Sequence, residues 1–443
     1  MVGHCAKEPA VSDVRLNVSL PSALAEARER YVAANPASLA AHVEATAAMP
    51  GGNTRTVLFH SPFPLAMARG VGARLWDVDG HEYTDLLGEY TAGLYGHSNP
   101  IIREAIDGAL DQGWNLGGHG LMEARLSQAI VKRFPGIDMV RFTNSGTEGN
   151  LMAVATACAV TGRKKVMVFD GGYHGGVMYF GGGGIPINAP HQWVLGIYND
   201  PVSAVALAEA HAEELACILV EPMMGSGGCI PASVAFLSAL REVATRIGAV
   251  LIFDEVMTSR MSEGGQQKRL GITPDMTTLG KYIGGGMSFG GFGGRAEIME
   301  RYDPRRADAI PHAGTFNNNV LTMAAGTAGL TKIFTAEAAD ALFARGEDFR
   351  ARLNAVSGGV MQWVGLGSLM CVHFRAGAIE RPMPVSEREA DLRELFFFEM
   401  LERGFYLARR GMIAMSLEIG EPEMAAFVAA VGDFAEGHGS LLG

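Results

Sequence analysis

The feature that most constrains this chain is a series of short, continuously apolar runs separated by helix-like segments. Met139-Val140-Arg141-Phe142-Thr143 leads through a turn into a helical stretch over about 148–159. Lys165–Phe169 is the next strand-like run, and Cys217-Ile218-Leu219-Val220 stops abruptly at Glu221-Pro222. The helically spaced Val234–Ile247 is followed by another apolar run over 249–253. Strands that are apolar along their whole length are buried on both faces. Helices between them make βαβ units, so the expected fold is α/β around a mainly parallel sheet. Ligands of such sheets sit beyond the carboxyl ends of the strands. The residues directly after each apolar run are therefore the ones to inspect for chemistry.

Composition narrows the class further. Of 443 residues, 48% are hydrophobic and 19% charged, enough apolar surface for a large core and too much for a disordered chain. Lys plus Arg number 36 against 47 Asp plus Glu, a formal charge of -11 with no basic cluster, which argues against nucleic acid and anionic membranes as partners. No run of about 18 apolar residues occurs, so no membrane span is expected. Cys5, Cys158, Cys217, Cys229 and Cys371 are scattered, without a Cys-x-x-Cys pair. Neither a metal site nor a disulfide framework is expected from them, and a reducing, cytoplasmic location is. The leading segment carries Lys7, Glu8, Asp13 and Arg15 but no apolar core, so a signal peptide is not expected.

The 58 glycines cluster between the apolar runs, at 171–172, 175–176, 181–184, 225–228, 284–286 and 290–294. Close approach of backbone to a ligand and tight turns both use glycine this way. Toward the end of the chain the pattern changes. Ser386-Glu387-Arg388-Glu389 has the form of a capping box opening a helix that Gly404 closes. Met424, Phe427, Val428, Val431 and Phe434 share one face of a last helix. With the apolar stretch 360–374, these define a smaller α+β domain. The expected division is an N-terminal segment 1–88 packing with the small domain, a large domain 89–334, and the small domain 335–443.

Four strand ends carry candidate chemistry. Asn144-Ser145-Gly146-Thr147-Glu148-Gly149-Asn150 sits at a strand-to-helix turn, where hydroxyls and free amides suit a phosphate; an ordinary Ser/Thr helix cap looks the same in sequence. Asp254-Glu255 follows a buried strand, where a carboxylate needs a cation or donor, either a protonated ring nitrogen or a structural salt bridge. The chain has seven lysines, at 7, 132, 164, 165, 268, 281 and 332. Only Lys281, in Leu279-Gly280-Lys281-Tyr282-Ile283-Gly284-Gly285-Gly286, sits among glycines and apolar residues away from other charges. Desolvation there would free its amine as nucleophile or base, although most lysines are solvated surface groups. Tyr173-His174, between glycine pairs, could stack on a flat heterocycle or pack in the core.

The order of these motifs resembles the class III, fold-type I aminotransferases, over roughly residues 35 to 440. The resemblance implies pyridoxal phosphate (PLP) as cofactor and Lys281 as the Schiff-base lysine. It implies Asp254 against the pyridine nitrogen and Val256 against the ring. Ser145, Gly146 and Thr147 match the phosphate cup, and Tyr173 matches the stacking aromatic. Thr315, in Ala313-Gly314-Thr315-Phe316-Asn317-Asn318-Asn319, matches a threonine that reaches the partner subunit's phosphate, which implies a homodimer.

Within that family the chain is similar to two branches, the glutamate-1-semialdehyde aminomutases and the β-phenylalanine-type aminotransferases. Pro50-Gly51-Gly52-Asn53-Thr54-Arg55 matches both and implies that Arg55 holds a substrate carboxylate by a bidentate fork; a surface ion pair is the plainer use of such a residue. Gly175-Gly176-Val177-Met178, Ser226 and Phe316-Asn317-Asn318-Asn319 depart from the aminomutase pattern. Residues 53–65, 254–260 and 314–320 follow the β-amino-acid branch, which also brings in Arg410 for a carboxylate, with Arg409 beside it. The implied activity is ping-pong transfer of the amino group of a β-amino acid to 2-oxoglutarate or pyruvate. An aminomutase-like isomerase and a non-catalytic PLP-binding protein are the rivals. Phe59, Tyr90 and Met287 are possible pocket walls that core packing explains equally well.

Overall fold

The computed structural model describes residues 19–443. Cys5 and the charged leading residues that bear on a signal peptide lie outside the described residues. The central sheet has seven strands, numbered here in chain order: β1 (Met139–Thr143), β2 (Lys165–Phe169), β3 (Gln192–Gly196), β4 (Leu215–Val220), β5 (Val250–Asp254), β6 (Met276–Gly280) and β7 (Gly290–Gly294). Their spatial order is β1-β7-β6-β5-β4-β2-β3. Only β7 runs antiparallel to its neighbours; the other pairings are parallel.

Side-chain alternation explains why the inner strands are apolar throughout. Val166, Val168, Cys217, Leu219, Val250 and Ile252 face one layer, packing with Ala153, Val154 and Ala157 of the helix Gly146–Thr161. Met167, Phe169, Ile218, Val220, Leu251 and Phe253 face the other, under the helices Pro201–Ala210 and Val234–Ile247. Each fully buried side chain of this size contributes about 1.5–3 kcal/mol. The expected mainly parallel, doubly covered sheet is therefore present. The helix expected over 148–159 begins earlier, at Gly146, because Ser145 Oγ accepts from the Glu148 amide at 3.2 Å and caps it. The strand expected over 249–253 shifts by one residue and ends on Asp254 itself.

The last part of the chain builds an antiparallel sheet from Met361–Leu366, Leu369–Phe374 and Met412–Ala414. The helix Glu387–Glu402 starts where Ser386 Oγ accepts from the Glu389 amide, and Gly404 beyond its end has φ +79°. Met424, Phe427, Val431 and Phe434 are buried along Glu421–Gly437. N-terminal residues join this assembly. Glu82–Asp85 pairs in parallel with Phe405–Tyr406, Arg28 meets Glu394 at 2.7 Å, and the Tyr31 and Phe398 rings lie 5.0 Å apart. No helix among the described residues is long and apolar enough to cross a membrane.

The glycines at 290–294 lie in strand β7 and let elements pack without side chains. A Cβ on Gly290 would lie 1.9 Å from the Ser145 carbonyl oxygen, and one on Gly149 2.8 Å from that of Gly291. Strand β7 therefore sets how closely the Ser145 turn sits on the sheet. Gly290→Ala is expected to destabilise the protein by about 1–3 kcal/mol, read as a lower Tm by calorimetry. An unchanged Tm would show that the turn moves aside freely.

Candidate active site

The carboxyl ends of β1, β2, β4, β5 and β6 deliver the Ser145 turn, the Tyr173 loop, Glu221, Asp254 and Lys281 to one edge of the sheet. Asp254 is buried, and its carboxylate is fully engaged at one oxygen. Oδ2 accepts from Asn150 Nδ2 and from the His174 ring, each at 2.8 Å, and Oδ1 accepts from the Val256 amide at 3.0 Å. Asn150 is in turn oriented by Thr278 Oγ1, which donates to its Oδ1 at 2.7 Å from the neighbouring strand β6. Helix, loop and two strands thus converge on a single carboxylate, leaving Oδ1 one further lone pair.

Val256 continues from Asp254 and fills the space between two glycines. A Cβ on Gly146 would meet it at 2.9 Å and one on Gly280 at 3.1 Å. The Ser145–Gly146–Thr147 turn opens a 16-residue helix whose first amides have no intrahelical acceptor. Gly175, at φ +125°, closes over Thr147, where a Cβ would overlap the threonine side chain. Tyr173 stands half exposed above this floor, and its amide donates to Glu221 Oε1 at 2.9 Å. Glu221 also accepts from the Gly225 amide, and burial pushes its carboxyl up to about 7.

Lys281 begins the turn after β6 in the left-handed region, φ +57°, a strained conformation for a non-glycine residue and one that clusters at functional sites. Its Nζ donates to the Tyr90 carbonyl at 2.7 Å. Tyr90 lies in an equally unusual run, with Glu89, Tyr90 and Thr91 at φ 47°, 51° and 85°. Burial, helped by Arg410 and Arg55 and opposed by Asp254 and Glu89, lowers the Lys281 pKa to about 8. Compared with an ordinary lysine, this raises the neutral fraction at pH 7 on the order of a few hundred-fold. The charge-free surroundings expected from the local sequence are thus only local: the fold brings two arginines and two carboxylates around the amine.

Arg410 and Arg55 both stand over the Tyr90 ring, at 5.2 and 5.6 Å from its centroid. Arg410 lines a cavity of about 290 Å³ with Val57, Phe59, Tyr90 and Arg393. Arg409 lines the same cavity and meets Glu394 there at 3.3 Å. Arg55 pairs with Glu89, both half exposed, a contact worth at most about 1 kcal/mol. Met287 lies exposed on the turn after Lys281. Thr315 is exposed on a loop whose Asn317 accepts from Asn144 at 3.0 Å. His174, Asn150, Glu221 and the Tyr90 carbonyl belong to the site although no role was assigned to them from sequence. Asn150 alone had a local signal, one helical turn past Gly146 on the same face.

These residues fit a planar, anionic, basic-nitrogen heterocycle. A floor lined by glycine and Val256, a helix start for a phosphate, a buried carboxylate with a spare lone pair and a neutral-leaning amine occupy one edge of the sheet.

Comparisons with known proteins give this chemistry a family. The class-III aminotransferase model matches residues 59–181 and 196–417. The chain is 52% identical over 429 residues to a β-phenylalanine transaminase of Variovorax paradoxus, covering 96% of this chain and 99% of that protein. The solved structure of a β-phenylalanine aminotransferase from the same organism superposes with a TM-score of 0.94, with the same coverage and identity. A glutamate-1-semialdehyde 2,1-aminomutase of Nitratidesulfovibrio vulgaris is 36% identical, over 81% of this chain and 89% of its own length. A transaminase solved with PLP bound superposes with a TM-score of 0.83 at 33% identity, covering 92% of this chain and 98% of that one. The chain belongs to the class-III aminotransferases, with the fold-type I architecture. It is an enzyme, and its cofactor is pyridoxal phosphate.

The electrostatics at Lys281 can be tested directly. Since Arg410 lowers its pKa, Arg410→Ala is expected to move the midpoint of Lys281 labelling in cofactor-free protein upward from about 8. An unmoved midpoint, read by mass spectrometry across pH, would separate Arg410 from the amine.

Proposed function

We propose that the protein moves the amino group of a β-amino acid of the β-phenylalanine type to a keto acid, 2-oxoglutarate or pyruvate, as a cytoplasmic homodimer. The observation that carries this reading is the 52% identity, sustained over nearly both full lengths, to the β-phenylalanine transaminase. When bound, PLP supplies the electron sink and carries the amino group between the two half-reactions.

In this reading Lys281 holds the cofactor and then shuttles a proton. Its Nζ takes the proton from the amine-bearing carbon of the substrate, a task its lowered pKa suits because a base works best near the operating pH. Asp254 offers Oδ1 to the protonated pyridine nitrogen, while His174 and Asn150 hold Oδ2. Ser145, Gly146 and Thr147 cradle the phosphate at the helix start. Val256 and Tyr173 cover the two faces of the ring. Thr315 completes the phosphate site of the partner subunit, in keeping with its exposed loop here.

Arg410 and Arg55, at 5.2 and 5.6 Å from the Tyr90 ring centroid, hold carboxylates. A β-amino acid places its carboxylate one carbon further from the amine than an α-amino acid does. Two arginines let one site receive that donor and a dicarboxylate acceptor. The division into an N-terminal segment (1–88), a large domain (89–334) and a small domain (335–443) belongs to the same reading. It is supported by pairing of 82–85 with 405–406 and by the separate three-stranded sheet near the C-terminus.

Mixing the PLP-loaded protein with β-phenylalanine, without keto acid, is expected to shift the visible cofactor band into the near ultraviolet. 2-Oxoglutarate is expected to reverse it. An unchanged spectrum would sink the β-phenylalanine assignment, and product formation with no acceptor would mark an isomerase instead. Lys281→Ala is expected to retain PLP while losing turnover by several orders of magnitude; ordinary turnover would remove the lysine from its role.

A further inference from the structure

Two cavities meet at Arg410. One, of about 290 Å³, contains Phe59 and Tyr90 in its wall; the other, of about 330 Å³, runs past Tyr179, Ser226, Cys371 and His373. Val385, Arg393 and Arg410 line both, so these three form the wall between them. The strand Leu369–Phe374 brings the two arginines together there. Cys371 and His373, two residues apart, share one face of that strand about 7 Å from each other. Cys371 Sγ donates to the Arg410 carbonyl at 3.4 Å, and His373 Nδ1 stands 3.5 Å from Arg393 Nη2.

The two guanidiniums are held differently. Arg393 is anchored, because its Nη2 donates at 2.6 Å to Glu389, a carboxylate 2% exposed. His373 Nε2 donates to the Gly228 carbonyl at 2.8 Å, which leaves Nδ1 as an acceptor beside Arg393. Burial lowers the His373 pKa to about 4, so the ring adds no charge. Arg410 is loose. Its Nη2 reaches the Met412 sulfur at 3.0 Å, its guanidinium stands over the Tyr90 ring, and it meets no carboxylate among the described residues.

The charges at this wall do not cancel. The second oxygen of Glu389 accepts from Arg375 Nε at 3.0 Å, so Arg375, Arg393 and Arg410 have that one carboxylate between them. Glu394, on the smaller cavity, is shared by Arg28 at 2.7 Å and Arg409 at 3.3 Å. Asp170 and Arg381, on the larger cavity, add one charge of each sign. Like charges side by side in a partly buried wall repel, and water relieves this without neutralising it. A carboxylate neutralises one charge and fits the planar fork of a guanidinium.

Resting on the transamination reading, we propose that Arg393 is a specificity-determining residue of the acceptor half-reaction: with Arg410 it seats the far carboxylate of a dicarboxylate keto acid and so favours 2-oxoglutarate over pyruvate. Arg55 takes the near carboxylate. Arg393 is the pre-set half of the seat and Arg410 the movable half, which limits the ordering that binding must impose. Pyruvate has no second carboxylate to offer and leaves both guanidiniums unpaired, a loss that a polar site reads as discrimination.

The test starts from protein loaded with pyridoxamine phosphate, so that the acceptor half-reaction runs without any amino donor. The amino group passes to the keto acid and the cofactor returns to PLP, read in its visible band. Wild type is expected to favour 2-oxoglutarate over pyruvate by about tenfold or more in second-order rate constant, and Arg393→Gln to lose about tenfold of that ratio through weaker saturation by 2-oxoglutarate. Equal rate constants in the wild type, or an unmoved ratio in the variant, overturn the proposal. Arg393→Lys keeps the charge without the fork, is expected to give an intermediate ratio, and serves alone if Arg393→Gln fails to fold; a wild-type ratio there also overturns it.

A second measurement needs no turnover. By calorimetry, glutarate is expected to bind the PLP-loaded wild type about tenfold more tightly than butyrate, with the gap narrowing in both Arg393 variants. Equal affinities in the wild type, or an unchanged gap in the variants, count against the seat. If 2-oxoglutarate converts the pyridoxamine phosphate form with the expected ratio while β-phenylalanine leaves the PLP form unchanged, the donor assignment fails and the carboxylate seat stands.

Discussion

The arrangement rests on one buried carboxylate. Asp254 ends a strand that is apolar on both faces, so its charge survives there only because donors from two other elements and the Val256 amide meet it. Asn150 comes from the helix after β1, His174 from the loop after β2, and Thr278, which aims Asn150, from β6. Each lies at the same edge of the sheet because parallel strands present the same end to the same side. Displacing any one of these elements would leave a buried polar group unpaired, and that penalty ties the sheet's register to the geometry of the site.

Glycine sets how closely these elements approach. The Ser145 turn rests on Gly290, the helix after it crosses Gly291, and Val256 wedges between Gly146 and Gly280. Side chains at these points would hold the phosphate-binding turn away from Val256 and Asp254. Glycines that in sequence suggest close approach to a ligand or tight turns are, at these points of the fold, the means by which rigid elements come into contact. The strain is placed elsewhere, on non-glycine residues with positive φ: Lys281, and the run Glu89-Tyr90-Thr91 that turns a carbonyl toward its amine.

Charge is distributed with the same economy. Near Lys281 two arginines and two carboxylates act through a mostly apolar enclosure, and the net result favours the neutral amine. Two more guanidiniums, Arg260 and Arg133, are buried elsewhere in the fold.

Much of this was legible in the sequence, because continuous apolar strands and the residues at their ends follow from local rules: period, caps and the cost of burying a charge. These placed β1, β2, β4 and β5, the start of the last helices, and Ser145, Asp254 and Lys281 at strand ends. What the tertiary structure alone decided involves partners far apart in the chain. His174 and Asn150 become ligands of Asp254 across 80 and 104 residues. Tyr90 offers its carbonyl to Lys281 across 191 residues. Arg409 meets Glu394 and Arg410 meets the Tyr90 ring, contacts between distant parts of the chain. Burial and charge compensation are properties of a neighbourhood in space. No local pattern in the sequence encodes which neighbours a folded chain will bring together.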